Sequence, residues 1–64
     1  MESAIIYPKE CRKNILRLVN TIGTNAETAY AMMLMTAMLM DLRPEDERVT
    51  EMILEDCGLS PECA

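Results

Sequence analysis

Apolar side chains at positions 11, 15, 18, 19 and 22 recur at i, i+4, i+7, i+8 and i+11, the repeat of one face of an α-helix. Lys9, Lys13 and Arg17 share the opposite side. Pro8 suits the first turn of such a helix, where a missing backbone N–H is no loss. Gly23 suits the left-handed stop beyond its end. A first helix is expected over about 9–22. Thr24 and Glu27 then form T-x-x-E, a capping-box pattern in which each side chain satisfies a backbone donor of the other. Asn25, one residue later, is the other candidate for the cap. A second helix follows, to about residue 42. Pro44 reopens the chain, and Glu45, Asp46 and Glu47 sit where a helix N-terminus favours negative charge. A third helix is expected over about 44–57, with Val49, Met52, Ile53 and Cys57 as its inward stripe. Gly58 closes it, and Leu59 supplies the apolar contact that accompanies such a stop. Ahead of Pro8, residues 3–7 are short and β-branched, the pattern of a brief strand.

The segment 29–40, AYAMMLMTAMLM, breaks the amphipathic rule. It has no charge, one strongly polar member in Thr36, and five of the seven methionines. At 100° per residue its apolar side chains point in every direction, and a helix of that kind is buried on all sides or lies in a membrane. Twelve residues rise about 18 Å, short of the roughly 20 residues that a bilayer core requires. A core helix covered by protein is the expectation, and the most economical cover is a second copy of the chain. The flexible thioethers fit an irregular core or a promiscuous binding groove, and the all-round pattern favours the core.

Composition narrows the chemistry. Sixty-four residues form one small helical domain, 1–64, of a size at which a lone core is marginal. With no Trp or Phe and only Tyr7 and Tyr30 as aromatics, that core is aliphatic and thioether. The three cysteines, Cys11, Cys57 and Cys63, are an odd number in no disulfide framework, as in a reduced cytoplasmic chain. The N-terminus is acidic and lacks the apolar run of a signal peptide. Histidine is absent, which removes the usual general base near neutral pH and the histidine-containing zinc sites. Neither glycine belongs to a phosphate-binding loop. No catalytic residue, metal site, cofactor or small-molecule substrate is implied, and a non-enzymatic protein is expected.

The formal charge of −5 is unevenly spread. Residues 1–24 carry +2 through Lys9, Arg12, Lys13 and Arg17 against Glu2 and Glu10, whereas residues 41–64 carry −6. A basic front and an acidic back suit two different partners, although two ordinary solvated helix faces produce the same distribution.

The order short strand, Pro8, amphipathic helix, Gly23 and capped second helix resembles the ribbon-helix-helix (Arc/CopG-type) family of repressors over residues 2–40. The resemblance implies an intertwined homodimer whose paired strands enter the DNA major groove. Cys11, Ile15, Leu18, Val19 and Ile22 fall on the first helix's core positions, and Ala29, Tyr30, Met33 and Leu34 on the second's. Tyr30, Met33, Leu34 and Ala37 are the expected dimer core. The groove-facing strand positions are Ile6, Ala4 and Glu2. Isoleucine and alanine can touch thymine methyls but cannot form bidentate hydrogen bonds to bases. Lys9, Arg12, Lys13 and Arg17 are the cations available for phosphate contacts, with the backbone N–H groups of Thr24 and Asn25 as a clamp.

Two functional readings result. One is a dimeric ribbon-helix-helix-like transcriptional regulator, in an antitoxin-like form that binds DNA at its basic end and a protein through Glu45, Asp46, Glu47, Glu51 and Glu55. The other is a small acidic helical inhibitor, of the kind phage and mobile elements encode, that binds a host protein such as a nucleic-acid-processing complex.

Overall fold

The computed structural model describes residues 7–58, and within them the chain is helical. A single 3₁₀ turn, Lys9–Cys11, leads into α1 (Arg12–Ile22), followed by α2 (Ala26–Met40) and α3 (Glu47–Asp56). The expected strand 3–7 lies outside the described residues except for Tyr7, which belongs to no regular element.

Each boundary has a local cause. Pro8 stands before the first turn with ψ near 141°, and its carbonyl accepts from Cys11 N–H at 3.0 Å. The expected helix 9–22 therefore opens as a 3₁₀ turn and becomes α-helical from Arg12. Gly23 ends α1 at φ 71°, its N–H reaching Val19 O at 3.1 Å. Asn25 caps α2, its Oδ1 accepting from Thr28 N–H at 2.7 Å, so of the two cap candidates the chain uses the later one. Asp41 ends α2 at φ 58°. Leu42 N–H then returns to Ala37 O at 2.9 Å, a Schellman closure whose following residue packs on the core. The third helix starts at Glu47 rather than 44, because Asp46 is its cap and Oδ1 accepts from Arg48 N–H at 2.9 Å.

All three helices pack on one another. Their shared core is Cys11, Ile15 and Leu18 from α1 and its leading turn, Ala29, Met33 and Ala37 from α2, and Val49, Ile53 and Leu54 from α3. Val19 and Ile22 complete the expected α1 stripe at its edge. In α3 the inward set differs from expectation. Thr50 and Leu54 are buried with Val49 and Ile53, whereas Met52 is half-buried and Cys57 exposed. Positions 49, 50, 53 and 54 form a face wide enough to meet two helices at once, and the Thr50 hydroxyl enters because it donates to Glu47 O at 2.7 Å. A buried hydroxyl satisfied by its own helix carries little desolvation cost.

Polar ties lock the arrangement. Arg17 Nη1 donates to Thr50 Oγ1 at 3.3 Å, joining α1 to α3. The buried Asn14 joins α1 to the loop before α3. Among the described residues, no buried side-chain nitrogen or oxygen lacks a partner. Tyr7 stands edge-on to Tyr30, with ring centroids 5.2 Å apart and planes at 77°, a favourable aromatic geometry.

Candidate binding surfaces

The expectation that the second helix is covered on every side is not met within one chain. Both α1 and α3 pack against the arc of α2 that carries Ala29, Met33 and Ala37. Its opposite arc is bare. Leu34 is 38%, Met35 65%, Met38 81% and Leu39 87% exposed, and Ala31 is exposed among them. These positions follow i, i+3, i+4, i+7 and i+8, and no polar residue interrupts the face from Ala31 to the end of the helix. Such a patch is uncommon on a chain that works alone.

This face continues into a shallow open groove lined by Met32, Met35, Thr36 and Leu39 of α2 and by Ile53, Asp56 and Cys57 at α3. On α1, Leu16 is also 59% exposed. Of the four expected dimer-core residues, Met33 and Ala37 are buried by the chain's own helices and Tyr30 is half-buried against Tyr7. Leu34 alone belongs to the bare face. Reading residue by residue missed Met35, Met38 and Leu39 as surface. Their helical spacing was legible, but a helix that is apolar all round gives no sign of which side its neighbours take.

The basic candidates separate into two groups. Lys9, Arg12 and Lys13 are exposed together at the start of α1. Arg17 is half-buried and engaged with Thr50. Thr24 and Asn25 lie at the other end of α1, about 16 Å along the axis at 1.5 Å per residue. There Asn25 spends its side-chain oxygen on the cap of α2. The structure thus does not join the proposed clamp to the lysines. Ala4 and Ile6 lie outside the described residues.

The acidic candidates also divide. Glu45 pairs with Arg43 at 3.4 Å, and Asp46 with Arg48 at 2.8 Å. The Arg48 side chain and backbone N–H both donate to Asp46, which holds its carboxyl below the ordinary carboxylate range. Glu47, Glu51 and Glu55 are exposed at i, i+4 and i+8, one stripe along the outer side of α3. Neither ion pair involves them.

The thiols differ in the same way. Cys11 is buried, and burial, followed by the carboxylates of Glu45 and Glu10, pushes its pKa up. Cys57 is free and exposed. Cys63 lies outside the described residues. Among those residues, no three Asp, Glu, His or Cys side chains gather as a metal site, and no helix is long and apolar enough to cross a membrane.

Among the described residues, the fold and its surfaces define a bundle of three helices with one bare apolar face, one basic turn and one acidic stripe. Comparison of the chain with known protein families, curated proteins and solved structures gives no match.

Proposed function

We propose that this protein is a non-enzymatic regulator that acts by binding other macromolecules. The observation that carries this reading is the outward face of α2. Its side chains lie outside the buried core cluster, yet they remain uniformly apolar where a solvated helix carries charge. A surface of that composition gains free energy when it is covered, and a contiguous patch of this kind supports a macromolecular partner.

Within this reading, the protein is a dimeric transcriptional regulator of ribbon-helix-helix-like or antitoxin-like type. Lys9, Arg12 and Lys13 support it by projecting together from one end of the bundle, and a dimer doubles them. Their contribution is phosphate neutralisation, which is strongest at low salt. Titration onto labelled duplex DNA tests it: salt-sensitive binding that weakens in a Lys9→Gln, Arg12→Gln, Lys13→Gln variant is expected. Absence of binding at low salt removes the DNA reading.

A second reading is favoured by the unpaired stripe of Glu47, Glu51 and Glu55. In that reading the chain is an acidic helical inhibitor that occupies a basic surface of a host protein, for example in a nucleic-acid-processing complex. Capture of such a partner that survives Glu47→Gln, Glu51→Gln, Glu55→Gln replacement removes the acidic stripe from the mechanism.

A further inference from the structure

We infer that the outward face of α2 is the contact between two copies of this chain, a self-complementary seam of Ala31, Leu34, Met35, Met38 and Leu39. The inference rests on the regulatory reading above and names the partner of its apolar surface.

Three features select a second copy as the occupant. The face is a ridge on a convex helix, with apolar positions alternating three and four apart at 31, 34 and 38 and at 31, 35 and 38. That spacing is what interlocks with another helix of the same pattern. From Thr28 to Met40 the helix carries no charge, so two copies, each at −5, can close this face without burying an unpaired charge. The area reaches the lower bound for a specific pair. With exposures from 38% to 87% for its four large side chains, the face offers on the order of 500 Å² per copy, and a pair that buried all of it would reach the roughly 1,000 Å² that a specific interface must clear. The groove residue Met32 lies beside it and extends it.

This seam differs from the dimer core expected from the sequence. Met33 and Ala37 are already spent inside the chain, and Met35, Met38 and Leu39 take their place at the interface.

Sedimentation of the wild-type protein at micromolar to submillimolar concentration is expected to show twice the chain mass. A Met38→Lys, Leu39→Lys variant is expected to show the single-chain mass with unchanged helical circular dichroism. Lysine moves the net charge from −5 toward neutrality, so dissociation cannot be ascribed to a rise in overall repulsion and reports on charge placed in the seam itself. If that variant loses its helicity, cross-linking decides instead. Met35→Cys, in a chain with Cys57 and Cys63 replaced by serine, is expected to form a disulfide-linked pair, and Lys13→Cys is not. A single-chain mass for the wild type throughout, or a lysine variant that stays paired and folded, overturns the seam. A monomer that still binds DNA or a protein partner overturns only the seam and leaves the regulatory reading in place. A dimer that binds neither upholds the seam and removes that reading.

Discussion

The side-chain amide of Asn14 donates to the carbonyl oxygen of Pro44 at 3.0 Å, and the same nitrogen reaches the carbonyl of Asp46 at 3.0 Å. One buried amide thus fastens the first helix to the loop that launches the third. Asn14→Ala removes the donor and leaves two carbonyls to find water in a half-buried loop. The expected loss is about 1–3 kcal/mol, read from urea unfolding at neutral pH. Asn14→Asp, which can only accept when ionised, is expected to cost more than alanine. A midpoint unchanged by either substitution contradicts the role assigned to this amide.

The two faces of α2 answer differently to the same substitution. Met33 is fully buried, and Met38 is 81% exposed. Met33→Ala is expected to lose about 2–5 kcal/mol, enough to unfold much of a small domain whose total stability lies near the lower end of about 5–15 kcal/mol. Met38→Ala is expected to leave the stability of the single chain within about 0.5 kcal/mol. The comparison belongs at the highest dilution that gives a signal, so that self-association does not enter it.

Asp41 combines two unfavourable features. Its φ of 58° places a side chain in the left-handed region, and its carboxylate sits at the C-terminal end of α2, where the helix dipole favours cations. Asp41→Asn keeps a residue that tolerates this conformation and removes the charge, for an expected gain of about 0.3–1 kcal/mol. Asp41→Gly is expected to relieve the conformational strain, and glycine is the commonest residue at this position. Thermal unfolding of the two variants beside the wild type measures both effects.

The low pKa of Asp46 sets the sign of an acid-stability effect. In the unfolded chain this carboxyl returns to its ordinary value near 3.9, so the unfolded state binds the extra proton first as the pH falls. The stabilisation is complete above the ordinary value and disappears as the pH drops through the folded one. Asp46→Asn can still cap α3 but has no charge to lose. Below about pH 4 its unfolding midpoint is expected to fall less steeply than that of the wild type, and parallel curves would falsify this account.

Burial and a raised pKa protect Cys11, whereas Cys57 meets solvent. The thiolate is the reactive form. Native labelling with a maleimide, followed by peptide mass mapping, is expected to modify Cys57 rapidly. Cys11 is expected to react roughly a thousandfold more slowly, limited by unfolding. Equal rates in urea confirm that the fold supplies the protection.

Much of this architecture is legible in residue order alone. The α1 stripe, the left-handed stop at Gly23, the capping group near residue 25 and the break before α3 depend on neighbours within a turn of helix, and local sterics decide them. That the apolar run 29–40 is too short to span a bilayer follows from its length alone. Residue order also contained the charge polarity, and with it the basic turn at Lys9, Arg12 and Lys13.

Packing decided the rest. An amphipathic helix announces its inner face, but α2 is apolar around its whole circumference. Its buried arc was therefore chosen by where α1 and α3 arrive, which placed Met33 and Ala37 inside and Met35, Met38 and Leu39 outside. The same competition turned α3 so that Thr50 and Leu54 went inward in place of Met52 and Cys57. It also sank Asn14, a polar residue one turn from the buried Cys11 and Leu18, because a distant loop brought carbonyls to meet it. Contacts thirty residues apart in sequence, such as Asn14 with Pro44, leave no periodic trace along the chain, and only the assembled bundle reveals which side chains they bury.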